Sequence, residues 1–261
     1  MSDAAKKVMD LAVRLAENHD LPDDALYTLI TERNEETALF LRNEARVLCE
    51  RIYGRFVYIR GLIEFTNYCK NDCYYCGIRR SNREAERYRL TEEEILSCCE
   101  AGYGLGFRTF VLQGGEDPYF TDERLCTIVA SIRGLCPDCA ITLSAGERSH
   151  DSYRRLHDAG ADRYLLRHET ADPCHYGRLH PESMSFGKRM AALKDLKEIG
   201  YQTGCGFMVG SPYQTASMIV KDLRFMKEFG PHMIGIGPFL SHKDTPFCDM
   251  ENGTAELTLY L

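Results

Sequence analysis

The chain has 261 residues, of which 44% are hydrophobic and 27% charged, a balance typical of a globular protein with one large domain or two small ones. It carries 32 Lys and Arg against 39 Asp and Glu, and the resulting net charge of −7 argues against nucleic-acid binding. No segment reaches the roughly 20 continuous apolar residues of a membrane span, and the charged N-terminus has no secretory apolar core. We therefore expect a cytoplasmic protein with no membrane partner.

Three helices are predicted at the start of the chain, over residues 4–18, 23–33 and 36–53. Each segment has Leu, Val, Ile or Ala at three- and four-residue spacing, which is the period of an amphipathic helix. After residue 55 the pattern changes. We therefore predict an N-terminal helical extension over residues 1–55.

From residue 56 onward, short apolar runs alternate with helical patterns, which indicates parallel βαβ units. Several of the helical patterns end at a glycine, the usual helix stop. The predicted strands are 56–66, 108–115, 140–146, 162–169, 202–210 and 232–240, and the predicted helices between them are 91–104, 122–134, 149–158, 185–199 and 215–229.

Both a doubly wound sheet and a (β/α)8 barrel have this local pattern. The barrel is favoured because polar and glycine-rich motifs close every predicted strand, and barrels carry their functional residues at the C-terminal ends of successive strands. Another helical pattern begins at residue 254. We therefore predict an α/β fold of about six βα units over residues 56–261, a TIM-type barrel truncated at its C-terminus.

The loop after the first predicted strand, "NYCKNDCYYC", holds Cys69, Cys73 and Cys76 within eight positions. Such a loop is compatible with a zinc site that takes a distant fourth ligand, or with simple thiols. It is also compatible with a 4Fe-4S cluster in which three irons bind cysteine and the fourth is open to another ligand. We favour the cluster.

The C-x3-C-x2-C spacing after the first strand of a βα barrel resembles the radical SAM superfamily. In that family the open iron is chelated by S-adenosylmethionine (SAM), which the reduced cluster cleaves. Tyr75 matches the aromatic residue that packs near the adenine. The motif "QGGED" resembles the family's GGE motif, which implies that Gly114, Gly115 and Glu116 receive the methionine amino group.

The resemblance extends over roughly residues 40–258 to the HydE family of FeFe-hydrogenase maturases, within the biotin synthase-like group. It implies a role in building the di-iron subcluster of the hydrogenase, the H-cluster. The implied substrate is a small organometallic complex of iron, cyanide, carbonyl and cysteine, and the implied partners are the maturases HydG and HydF. The segments that carry the resemblance are "IEFTNYCKNDCYYCGIRRSN", "RYRLTEEEI", "VLQGGEDPYF", "ADRYLLRHETADP", "LKEIGYQTGCGFMVGSPYQT" and "IGIGPFLSHKDTP".

Carried over to this sequence, the resemblance implies that Ser144 and Glu169 contact SAM and that Arg189 faces the SAM carboxylate. One extra residue in "PESMSF" makes Lys188 an alternative to Arg189. Arg167 and His168 fall where the substrate cavity begins and are the predicted catalytic pair. The stretch "SAGERS" departs from the family's glycine-glutamate-aromatic pattern, so no role is assigned to Glu147.

Two other functions compete with the maturase. A methylornithine synthase-like radical SAM mutase would share the barrel and the cluster loop. A non-catalytic Fe-S or zinc carrier would explain the three cysteines, but it would not explain the motifs at the strand ends.

Overall fold

The computed structural model describes residues 3–261. The three predicted N-terminal helices are present and have a small hydrophobic core of their own, which includes Val8, Leu11 and Leu29. The second of them packs against a helix of the barrel wall, where Arg224 pairs with Asp23 at 2.5 Å. The division of the chain after residue 55 stays a prediction. These helices are α1 (Asp3–Asn18), α2 (Asp23–Thr31) and α3 (Glu35–Tyr53).

The rest of the described chain alternates strands with helices. No helix within residues 3–261 has the length and apolar character needed to cross a membrane. In chain order the elements are β1 (Gly61–Thr66), α4 (Glu92–Gly104), β2 (Thr109–Gly114), α5 (Asp122–Leu135), β3 (Ala140–Ser144), α6 (His150–Asp158), β4 (Arg163–Leu165), α7 (Pro173–Leu179), α8 (Phe186–Ile199), β5 (Gln202–Cys205), β6 (Met208–Val209), α9 (Ala216–Phe229), β7 (Met233–Ile234), β8 (Gly237–Pro238) and α10 (Ala255–Tyr260).

Six of these strands form one parallel sheet in the order β1-β2-β3-β4-β5-β7, and β6 pairs with β8 in a small second sheet. Sequential parallel strands with helices between them are the arrangement of a (β/α)8 barrel. Within the described residues, β1 and β7 are the open edges of the large sheet. The predicted fold class, a partial barrel, is confirmed.

The two faces of the sheet have different surroundings. Phe65, Phe110, Leu143 and Tyr164 point outward into a core shared with the surrounding helices. On the inner face, the register places Glu64, Gln113 and Ser144 side by side on β1, β2 and β3. Because all the strands of this sheet are parallel, their C-terminal ends meet at one rim. The candidate site residues predicted from the sequence lie at this rim.

The predicted first strand was too long. Residues 56–60 lie outside β1, and Phe56 and Val57 are 79% and 87% exposed. Their apolar composition favours a strand, but among the described residues β1 lies at the edge of the sheet and no strand pairs with residues 56–60. Pairing, not composition, therefore determines where the strand begins.

Candidate cluster and SAM site

The loop after β1 carries the three cysteines and is held in one conformation by its own polar groups. The Asp72 carboxylate accepts hydrogen bonds from Arg79 Nε at 2.8 Å and from the Ser81 hydroxyl at 2.6 Å. The Arg87 guanidinium donates to four backbone carbonyls that no regular strand or helix satisfies, those of Asn67, Ile78, Arg79 and Asn82. The loop is thus preorganised before any cluster binds.

Cys69, Cys73 and Cys76 are half-buried in this loop. Burial raises the pKa of all three thiols above the usual value, and in Cys73 the neighbouring Cys76 and Cys69 raise it further. Backbone N–H groups of Asn71 and Glu116 act in the opposite direction on Cys69. Thiols of this kind ionise together only when a positively charged centre compensates them.

Within residues 3–261, no three His, Cys, Asp or Glu side chains converge on a single metal ion. A 4Fe-4S cubane does not require such convergence, because each iron takes one thiolate. The three thiols lie on one rigid loop and would repel one another as anions. They therefore fit a cubane, in which each thiolate binds a different iron.

The end of β2 approaches the cysteine loop so closely that only glycine fits. A Cβ on Gly115 would lie 2.1 Å from the Tyr68 carbonyl oxygen and 2.8 Å from Cys69 Cβ. Gly114 similarly abuts Thr66. Next to them, the Lys70 N–H donates to the Glu116 carbonyl oxygen at 2.9 Å. The predicted Gly114, Gly115 and Glu116 are therefore in contact with the cluster loop.

We expect Gly115→Ala to destabilise the protein by about 2 kcal/mol, because overpacking against fixed backbone must displace the loop. Chemical denaturation would measure the change, and iron content after reconstitution should fall with it. Gly104→Ala is the matched control, since a Cβ there meets no atom within 4 Å and alanine favours the helix α4. Equal stability of the two variants would contradict this explanation of Gly115.

The Glu116 carboxylate connects three parts of the rim. It lies 3.1 Å from Lys70 Nζ and accepts a hydrogen bond from the Glu147 N–H at 2.9 Å. Gly146, with φ of +75°, makes room for it, because a Cβ there would lie 1.9 Å from Glu116 Cγ. Glu116 therefore positions the loop after β3, and its side-chain oxygens already have protein partners.

Glu147, to which the sequence assigned no role, pairs with Arg189. Arg189 is 7% exposed and also donates from Nη1 to the Arg167 carbonyl oxygen at 2.6 Å. The alternative residue Lys188 is exposed on the surface of α8. Arg189 rather than Lys188 is thus inside the rim, and it joins the ends of β3 and β4.

Arg167 and Glu169 are close together at the end of β4, with Arg167 Nη2 and Glu169 Oε2 3.3 Å apart. The contact lacks hydrogen-bond geometry. Arg167 Nε and Nη2 and Glu169 Oε2 are all buried without a hydrogen-bond partner in the described chain. Buried polar atoms of this kind are costly unless a ligand completes them. Glu169 also has a φ of +65°, a rare conformation for a non-glycine residue.

The structure does not bring His168 to the same space. Its side chain is fully buried, its Nδ1 accepts a hydrogen bond from the Gly206 N–H, and its Nε2 lies 3.3 Å from Asp222 Oδ1. Asp222, on α9, also accepts a hydrogen bond from the Ala171 N–H. His168 and Asp222 therefore clamp the turn that carries Arg167 and Glu169. His168 follows β4 between Arg167 and Glu169, and its side chain is directed toward α9 and Asp222 instead of toward theirs.

Tyr75 lies beside the cluster loop with its ring edge-on to His180, at a centroid distance of 5.4 Å. Its hydroxyl is 3.1 Å from His180 Nε2, and His180 Nδ1 is 2.9 Å from the Tyr176 carbonyl oxygen. Burial lowers the pKa of His180 to about 4, so the ring is neutral and accepts from Tyr75. Ser144, the remaining predicted contact, is half-buried at the end of β3.

The chain is similar to known proteins in both sequence and structure. A model of the radical SAM superfamily matches residues 63–226. The chain is 46% identical over 231 residues to the [FeFe] hydrogenase maturase subunit HydE of Thermotoga maritima, an alignment that covers 88% of this chain and 65% of the relative. It is 33% identical to the 3-methylornithine synthase of Methanosarcina acetivorans, with 89% of this chain and 66% of the relative covered.

Among solved structures, methylornithine synthase (PylB) superposes with a TM-score of 0.87 at 28% identity, covering 96% of this chain and 74% of that one. In the two sequence alignments above, the chain spans about two thirds of the length of each curated relative. The family model covers more than half of the chain and includes the cysteine loop and the ends of β1 to β5. The chain belongs to the radical SAM superfamily.

Proposed function

We propose that this protein is a radical SAM enzyme that takes part in assembly of the di-iron subcluster of FeFe-hydrogenase. The proposal is supported by the three half-buried thiols of the cluster loop, and by Arg167 and Glu169, whose buried Nε, Nη2 and Oε2 atoms have no hydrogen-bond partner within residues 3–261. Burial is the main cause of the raised pKa of Cys73 and Cys76, and the negative charge of Glu169 adds to it in both.

Bound at Cys69, Cys73 and Cys76, a 4Fe-4S cluster would supply the electron that cleaves SAM. The chain's own residues do the rest. Gly114 and Gly115 allow the end of β2 to reach the cluster loop, where backbone N–H and C=O groups can receive the methionine end of SAM. The edge of the Tyr75 ring and the Ser144 side chain offer contacts for the nucleoside end.

We assign each of the remaining residues to a ligand group by the charge of its side chain. Arg189 is a buried cation held by Glu147, and it suits the SAM carboxylate. Glu169 accepts from SAM hydroxyl or ammonium groups. Arg167 offers an anionic iron-cyanide substrate two donors that make no hydrogen bond within residues 3–261. His168 is a positioning residue that holds the turn through Asp222.

For the physiological role, we propose the iron, carbonyl, cyanide and cysteine complex as substrate and the maturases HydG and HydF as neighbours in the assembly sequence. The 46% identity to HydE supports this role. The compartment remains the cytoplasm predicted from the sequence.

A methylornithine synthase-like mutase is the second candidate, and the TM-score of 0.87 to PylB favours it. Its sequence similarity is lower, at 33% against 46%. We therefore place the maturase first.

We expect the reconstituted protein, reduced with dithionite, to convert SAM into methionine and 5′-deoxyadenosine. Glu169→Gln should slow this reaction by roughly tenfold or more, because a charged hydrogen bond to SAM becomes a neutral one. Glu84→Gln, at an exposed carboxylate beyond the cluster loop, is the control and should leave the rate unchanged. Product is quantified by chromatography. Intact cluster absorption with no 5′-deoxyadenosine would instead favour the carrier.

A further inference from the structure

A shallow pocket lies beside the cluster loop, and it shares no residue with the rim that the proposed function uses. Its volume is about 380 Å³. Tyr213 and Arg178 are exposed at its edge, so the pocket is accessible to a large partner. We call it the aromatic pocket, and its lining residues are Tyr74, Gly177, Arg178, Tyr213 and Phe247.

The aromatic pocket is built directly on the loop that carries the cysteines. Tyr74 follows Cys73, and its N–H donates to the Leu179 carbonyl oxygen at 3.0 Å, which ties the loop to α7. The segment after β8, which also supplies a ring to the pocket, packs so closely on the loop that a Cβ on Gly77 would lie 2.8 Å from the His242 ring. A molecule in the pocket would therefore contact the same loop as the three cluster ligands.

Three aromatic rings and one guanidinium form the pocket. Phe247 is 6% exposed and forms the floor, with the Tyr74 and Tyr213 rings edge-on to it at centroid distances of 6.0 and 6.2 Å. The Arg178 guanidinium lies over the Tyr213 ring, 4.8 Å from its centroid. Tyrosine and arginine are among the residues that most often anchor protein interfaces. Tyr213 also has a φ of +67°, and backbone strain of this kind clusters at functional segments.

The charge of the pocket is positive, although the chain as a whole has a net charge of −7. No Asp or Glu lines the pocket, and Arg178 forms no ion pair with any residue that the structure describes. Arg80, whose N–H donates to the Asn71 carbonyl oxygen of the cluster loop at 2.8 Å, is exposed and likewise has no ion pair in the described chain. A partner with surface carboxylates would complement these cations.

The proposed chemistry indicates what kind of partner this is. Cleavage of SAM takes one electron from the cluster, so a donor must reduce the cluster. Because electron transfer slows steeply with distance, a donor protein has to dock where the cluster loop meets the surface. Electron-transfer encounters use small interfaces, and a shallow pocket with one cation suits such a contact.

We propose that the aromatic pocket is the docking site for an acidic one-electron carrier protein. A carboxylate of the carrier pairs with Arg178, and an apolar side chain next to it packs between the rings of Tyr74 and Tyr213. One electron passes from the reduced carrier to the cluster, so the carrier is oxidised by one electron and no bond forms or breaks. This assignment rests on the proposed function, since it needs the 4Fe-4S cluster.

The test is Arg178→Glu in the reconstituted protein, which reverses the charge of one exposed side chain. The probes are two acidic carriers, flavodoxin and a 4Fe-4S ferredoxin, and the inorganic reductant dithionite, which needs no docking surface. We expect both oxidised carriers to bind the variant about tenfold more weakly by calorimetry, because like charges then face each other. Flavodoxin hydroquinone should reduce the variant's cluster roughly tenfold more slowly, measured by the flavin semiquinone absorption, for the same reason. Reduction by dithionite should be unchanged.

Arg154→Glu is the matched control. Arg154 is an exposed arginine on α6 with no ion pair within residues 3–261, and its reversal changes the net charge by the same amount. This variant should bind both carriers and accept electrons as the wild type does. Equal weakening in the two variants, wild-type behaviour of Arg178→Glu, or a wild-type protein that binds neither carrier would overturn the docking site. If flavodoxin reduces the wild type as expected but no 5′-deoxyadenosine forms, the proposed function fails and the docking site stands.

Discussion

Single replacement of Cys69, Cys73 or Cys76 by Ala is expected to abolish the visible absorption of the anaerobically reconstituted protein and to remove most of its iron. Each thiolate would hold a separate iron, so no neighbouring cysteine can replace a missing one. The loop should stay folded, because its conformation depends on Asp72 and Arg87 rather than on the thiols. Iron analysis and the visible spectrum measure the outcome.

The control for this series is Cys98→Ala. Cys98 is exposed on α4, outside the cluster loop, and its removal should leave iron and absorption at the wild-type level. If all three loop variants keep their iron and their spectrum, the assignment of the ligands is wrong.

Arg167→Ala is expected to retain SAM cleavage within about threefold of the wild type while losing at least tenfold in hydrogenase maturation. Arg167 Nε and Nη2 are buried and make no hydrogen bond in the part of the chain that the structure describes, and we assign them to the anionic substrate. Arg189 binds the backbone carbonyl of Arg167, which the variant keeps, and Glu169 loses only a 3.3 Å contact that lacks hydrogen-bond geometry, so we expect SAM cleavage to continue. The measurements are 5′-deoxyadenosine formation in vitro and hydrogenase activity in a complemented deletion strain.

Arg163→Ala is the matched control on the same strand. Arg163 begins β4, at the opposite end from Arg167, and donates to the Gln202 side chain at 2.7 Å. Its loss should affect neither reaction. If Arg167→Ala abolishes SAM cleavage while the cluster stays intact, the division of the pocket between SAM and substrate is wrong, although the maturase function could stand.

The sequence predicted most of the architecture because its patterns are local. Helical spacing located the long helices to within two residues, and α8 and α9 end at Gly200 and Gly230 as expected. The strands β2 and β3 were found because they are buried apolar runs that end in polar motifs. The predicted strands 202–210 and 232–240 were too long, because each is divided into two strands that belong to different sheets, β5 with β6 and β7 with β8. The helix α7 was missed because it is only seven residues long, although Asp172 followed by Pro173 is a helix-start signal.

The interior of the site was harder to predict, because it depends on contacts between distant elements. Nothing near His168 in the sequence indicates Asp222, which lies more than fifty residues further on and turns the histidine away from Arg167. Glu147 gains its role only through Arg189 on α8.

The measurement that tests the central claim most directly is the state of FeFe-hydrogenase in a strain that lacks this gene. We predict that the hydrogenase polypeptide is present at normal amounts but inactive, and that its infrared spectrum lacks the bands of iron-bound carbonyl and cyanide. The wild-type gene should restore both activity and bands. A deletion strain whose hydrogenase has normal activity and a normal infrared spectrum would contradict the maturase function and favour the mutase.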